Sequence, residues 1–223
     1  MNGSIIAHLA LKDWRLNRLL IVLTVAVGLV ALLLAQFGGL ALVLGGIWFF
    51  VALCVLGSML PASTIVNERK KQTLAFIMSL PVSSIQYTIA KMLSIWALFL
   101  VPWLTLLIFA LVLIANGHVV PHGSVPMLLM LAMLPLIAFC LMFSTALVGE
   151  SEGWLIAASI VCNSSYWLGW FLLIRIPSLA ANLKAPVAVW NAPAITVLCA
   201  ELGLIALITG LTLFFQSRKR DFI

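Results

Sequence analysis

The sequence predicts an all-α polytopic membrane protein, and three observations carry that prediction. Of 223 residues, 65% are apolar and only 8% are charged, where a soluble domain has about 25% charged and 45–50% apolar residues. Mean hydropathy is +1.25. Six apolar stretches reach the ~20 residues that a helix needs to cross a hydrocarbon core about 30 Å thick. These values exclude the soluble globular and disordered classes. Eight Trp and twelve Phe would suit no water-facing surface either.

The first element is Ser4–Arg18. At about 100° per residue, His8, Lys12 and Arg15 fall within an arc of about 60°. Ile6, Ala7, Ala10, Leu11 and Trp14 share the other side. That pattern predicts an interfacial helix lying on the cytoplasmic leaflet and leading into the first span. The spans follow at Leu19–Ala35, Leu40–Leu60, Ile85–Ala115, Met127–Val148, Trp154–Leu173 and Ala194–Phe215. The third is long enough to tilt or to continue out of the membrane as helix. Pro102 in the third and Pro135 in the fourth each remove a backbone donor and predict kinks. The connections Gln36–Gly39, Asn116–Pro126 and Ile174–Pro193 are short. No repeat or long linker divides residues 1–223, so a single transmembrane domain is expected. A cleaved signal peptide is not expected, because no small-x-small site follows the first apolar run.

Orientation follows from the basic residues. Lys12, Arg15 and Arg18 precede the first span, Arg69, Lys70 and Lys71 lie between the second and third, and Arg218, Lys219 and Arg220 follow the sixth. These nine of twelve share one side, and Lys91 is nearest to it; only Arg175 and Lys184 lie opposite. The positive-inside rule makes that side cytoplasmic, so the expectation is a multi-pass protein of a cell (inner or plasma) membrane with both termini in the cytoplasm. The formal charge of +6 therefore speaks of topology, and no nucleic acid is expected as partner.

Several short patterns look chemical. Gly149-Glu150-Ser151-Glu152-Gly153 matches the G-x-S-x-G elbow of serine hydrolases, but it joins two membrane helices where that motif needs a strand before it. Two carboxylates beside Ser151 would oppose an oxyanion, so a tight turn is expected. His118 and His122 are four apart, but Gly117, Pro121 and Gly123 break any helix there and no acid or thiol is near; no metal site is expected. With no histidine inside a span, haem ligation within the bundle is excluded. Cys54, Cys140, Cys162 and Cys199 lie in apolar runs without metal-type spacing and read as small buried hydrophobes. Asn163, Ser164, Ser165 and Tyr166 form a polar run inside the fifth span, which either joins helices or lines a path. Glu201 is the one carboxylate within a span, about 10 Å along the axis from its outer start. At that depth it either bonds a neighbouring helix or serves transport.

Residues 67–83 are the most informative. Charges open this segment, and an apolar run too short to cross a membrane follows. Helical from Thr73 to Leu80, it would gather Phe76, Ile77 and Leu80, flanked by Leu74 and Met78. Pro81 stops it and Ser83 or Ser84 caps the third span. An apolar helix in the cytosol needs cover, from lipid headgroups or from a groove on a partner.

The run Glu68-Arg69, Thr73-Leu74, Phe76-Ile77-Met78-Ser79-Leu80-Pro81-Val82-Ser83 resembles the E-R-x-x-G-T-L-E-x-L-L-x-x-P-V-S stretch of type-2 ABC transporter permeases, the type V exporters. Gln72 stands where that family usually has Gly, and Ala75 where it has Glu. Leu11-Lys12-Asp13-Trp14-Arg15 is similar to the family's K-D-x-R opening helix, and Arg220-Asp221-Phe222 to a common ending. The resemblance implies that the segment is a cytoplasmic coupling helix between spans two and three. Glu68, Arg69, Thr73, Leu74, Phe76, Ile77, Leu80 and Pro81 would be its contacts with an ATP-binding cassette ATPase subunit. No G-x-x-x-x-G-K-[ST] occurs in the chain, so it is not expected to be an enzyme and ATP and Mg would sit on that partner. The resemblance further implies a dimer of permeases, homo- or heteromeric, whose second and fifth helices line the interface. Asn163, Ser164 and Tyr166 would then border the translocation path, with Glu201 a further candidate. The expected cargo is hydrophobic or amphipathic: a lipid, drug or peptide leaving the cytoplasm or inner leaflet. The alternative is a non-transporting membrane scaffold or assembly factor.

Overall fold

The computed structural model describes residues 3–66, 84–117, 119–149 and 152–218, and for 3–10, 84–88, 90 and 152 the backbone path alone. Every regular element among them is helical. In chain order these are α1 (Gly3–Ala35), α2 (Gly39–Pro61) with a π-helical turn at Ala62–Val66, and α3 (Ser84–Asn116). A 3₁₀ turn at His122–Ser124 leads into α4 (Val125–Val148), followed by α5 (Glu152–Ile174), the short α6 (Pro177–Asn182) and α7 (Ala192–Arg218). Six of them, all but α6, are long and apolar enough to cross a membrane. The chain thus has multi-pass membrane character. One end of the bundle carries the start of α1 and the finish of α7, the terminal face; the other carries the turns at 36–38 and 117–124 and the stretch 175–191, the loop face.

Each predicted span coincides with one of these helices, and the ends move by a few residues. The largest difference is at the start. The amphipathic stretch 4–18 and the first span form one helix of 33 residues, about 50 Å long at 1.5 Å per residue. Lys12, Asp13, Arg15 and Arg18 all tolerate helical geometry, and no proline or glycine separates Gly3 from Gly28. The chain therefore has no reason to break at Leu19. At the other end of α1 the chain reverses through Gly38 and Gly39, at φ 72° and 54°. That left-handed backbone costs glycine little and other residues much.

Two groups of three helices make the bundle. α1 packs on α2 and α3, and α4 packs on α5 and α7; α2 against α4 is the main junction. The approach of α1 to α2 is close at Gly45, where a Cβ would run into the Ala31 carbonyl. α4 is the central post, with 56% of its most apolar stretch buried, against 6% for α5 and 22% for α7. Its seat against α3 is aromatic: the Phe99 and Phe139 rings stack with centroids 4.2 Å apart. Trp103 Nε1 donates to the Ala132 carbonyl at 2.9 Å. Pro102 and Pro135 lie inside α3 and α4, where each deprives the carbonyl four residues earlier of its usual amide donor.

Candidate functional site

Polar side chains in a low-dielectric bundle are costly unless paired, so their placement marks the places that do more than pack. The described residues hold three such groups, each on different elements.

The first lies at the terminal face and was only half legible in the sequence. Lys91 Nζ, on α3, donates to both carboxylate oxygens of Asp13 on α1 at 3.0 Å, and both side chains are fully buried. Ser94 Oγ adds a donor to Asp13 Oδ2 at 3.1 Å. One turn along α1, Asn17 donates to the Asp13 carbonyl at 2.9 Å and accepts from Ser63 Oγ, on the π-helical turn, at 2.6 Å. Five side chains thus tie α1 to the end of α2 and the beginning of α3. Those two ends flank residues 67–83. Sequence reasoning took Lys91 as an orientation signal. The missed clue was that a lysine in an apolar run needs a carboxylate at its own level, and Asp13 is the single acid of the N-terminal basic cluster.

The second group is the polar run of α5. Asn163 and Ser164 are exposed on the outside of the bundle. Asn163 Nδ2 is occupied locally, donating to the Ser159 carbonyl at 2.8 Å. Tyr166 turns inward, half-buried, its ring 5.4 Å from Phe50 of α2. The structure therefore separates these three residues: two face outward and one joins helices.

The third group follows the buried face of α7, which presents Glu201, Ile205, Ile208, Thr212 and Gln216. Glu201 is 8% exposed and Gln216 4%. Thr212 hydrogen-bonds Ser144 of α4, so α4 and α7, which run in the same direction, are in register there. Met92 and Trp96 of α3 close the same place, with Cys140, Phe143 and Thr209. Glu201 Oε2, Gln216 Oε1 and Trp96 Nε1 are buried and have no hydrogen-bond partner among the described residues.

Glu68, Arg69, Thr73, Leu74, Phe76, Ile77, Leu80 and Pro81, the expected coupling contacts, lie outside the described residues, as do His118, Glu150 and Ser151. His122 is exposed. No three of His, Cys, Asp and Glu come together among the described residues. Cys140 and Cys162 are buried as expected; Cys199 instead faces outward from α7. Comparison with known proteins finds no matching family, no matching curated protein and no matching solved structure.

Proposed function

We propose that this chain is the membrane subunit of an ATP-binding cassette exporter that moves a hydrophobic or amphipathic substrate and borrows its motor from a separate ATPase. The observation that carries the reading is the Glu68–Ser83 stretch and its position between the second and third spans. The polar ties at its two ends support it. Ser63 on the near side, and Lys91 and Ser94 on the far side, all attach to α1 through Asn17 and Asp13. A push on the intervening segment reaches α1 and α3 together, because giving way at either tie would strand a buried polar or charged group. The terminal face is cytoplasmic on this reading, in keeping with the nine basic residues on that side.

A second permease copy covers α5. Only 6% of the most apolar stretch of that helix is buried by its own chain. It also displays Asn163 and Ser164 where lipid offers no hydrogen bond. Ser144 and Thr212 bond each other across the α4–α7 contact, so passage follows either a path between copies or a parting of helices within one.

The test is retention of the motor. Phe76→Asp puts a charge at the centre of the apolar face of the segment. The tagged variant, purified from its native membrane, is expected to lose its ATPase subunit while the bundle keeps its thermal unfolding profile. Undiminished recovery of an ATPase with the variant, or no ATPase with the unaltered chain, would falsify the docking assignment.

A further inference from the structure

Among the described residues, two of the three unpartnered buried polar atoms lie on the buried face of α7, and the third, on α3, reaches the same helix. Glu201 and Gln216 share the buried face of α7 with Thr212, which meets Ser144 of α4, and Trp96 reaches that face from α3 beside Thr209 and Thr212. Buried polar groups are normally paired, and each exception needs a reason. Here the exceptions form a track. Glu201 and Gln216 are 15 residues apart, about 22 Å at 1.5 Å per residue, with the Ser144–Thr212 pair between them. A single stray atom could be an accident of packing, but a row along one contact is a set of waiting partners.

The acceptors point to the ligand's chemistry. Glu201 is the one carboxylate in a described span away from the terminal face, and no cation among the described residues pairs with it. Counting back from Ser144 and Thr212 puts Glu201 level with Met133 of α4, in an apolar stretch that offers no donor. Gln216 adds another unsatisfied acceptor farther along. What these two oxygens lack is a hydrogen-bond donor, and beside a carboxylate a positively charged one is favoured; Trp96 Nε1, a donor itself, calls for an acceptor instead. α7 is also the helix able to yield it. Its most apolar stretch is 22% buried, and Leu202, Leu204, Leu207 and Leu211 look outward, so a ligand arriving from the bilayer reaches it directly.

We infer that the α4–α7 contact is a binding site for an amphiphile with a protonated amine, whose ammonium pairs with Glu201 while its hydrocarbon tail stays in lipid. The site is closed in this structure, and α7 swings from α4 to admit the headgroup. Ser144 and Thr212 exchange their mutual bond for bonds to the passing group. Carriage of the ligand across the membrane rests on the exporter reading; its binding does not, and binding is what the experiment measures.

The probe is radiolabelled dodecylamine at neutral pH, with the protein in nanodiscs and empty nanodiscs subtracted. The expected result is a saturable component that dodecanol, uncharged, does not displace. Glu201→Gln should weaken it at least tenfold at unchanged thermal stability, and Thr105→Ala, on the outward face of α3, should leave it within twofold. A second arm removes folding from the argument. In a chain whose four cysteines are alanine, Ser144→Cys with Thr212→Cys places two thiols where the hydroxyls now meet. Oxidation should abolish binding and reduction should restore it in the same sample. The proposal is overturned if Glu201→Gln binds like the unaltered chain, if dodecanol competes equally, if no saturable component exists, or if the locked bundle still binds. None of these outcomes depends on an ATPase, so the exporter reading stands or falls separately with Phe76→Asp.

Discussion

The terminal-face cluster and the α4–α7 contact are built from similar materials and differ in completeness. Both bury a carboxylate among transmembrane helices. Asp13 receives two bonds from Lys91 and one from Ser94; Glu201 has an oxygen that receives none. The first cluster joins three helices and includes a matched charge. The second lies on a helix with 22% of its most apolar stretch buried and leaves three polar atoms waiting. A satisfied buried network rigidifies, whereas an unsatisfied one is an expense that packing alone would remove. The difference separates a brace from a site.

The largest expected effect breaks the brace. Asp13→Leu strands a buried ammonium and Lys91→Met a buried carboxylate, and each should cost about 3–5 kcal/mol of bundle stability. The double variant replaces both charges with apolar groups and should recover most of that loss, often the whole of it. Unfolding by titration with sodium dodecyl sulfate in mixed micelles reads all three proteins and closes a double-mutant cycle. Additive losses would mean that the two residues stabilise the bundle independently. Next in size, Ser94→Ala removes one bond to a charged acceptor and should cost about 1.5–3 kcal/mol in the same titration. It leaves the Lys91 bonds to both carboxylate oxygens in place, so loss equal to that of Asp13→Leu would show that Ser94 orders the whole cluster.

Sequence made the helices plain because crossing a bilayer demands length and apolarity together, and both are local properties. It split α1 at Leu19 because composition changes there, although helical geometry does not. The brace escaped for a different reason. Asp13 and Lys91 are 78 positions apart, and nothing local shows that two charges meet. Glu201 stood out as a lone carboxylate in an apolar run, yet its neighbourhood could not be read. Farther along the same face of α7, Ser144 of α4 and Trp96 of α3 gather at Thr209 and Thr212, through packing that only the folded chain displays. The polar run on α5 was legible as polar but not as outward-facing, since the surrounding residues are apolar on every side of that helix. Residues 67–83 carry the family resemblance and lie outside the described residues, so the functional argument there still rests on motif and position.

The smallest expected effect is the most discriminating for the comparison. If Glu201 were a second brace, Glu201→Leu would destabilise the bundle as Asp13→Leu does. As an unpartnered acid it contributes no bond to lose, and leucine refills much of its volume. The variant should therefore unfold within about 1 kcal/mol of the unaltered chain, with any shift toward greater stability, because burying an unsatisfied polar group costs about 1–3 kcal/mol. Gln216→Leu should behave alike with a smaller shift, since it relieves an amide in place of an acid. The sign is what matters. A loss of about 2 kcal/mol or more at Glu201 in the same dodecyl sulfate titration would reveal a structural partner and dissolve the contrast between the two regions. A gain would mean that the chain keeps an acid at a cost to its own stability, as expected of a group kept for a ligand.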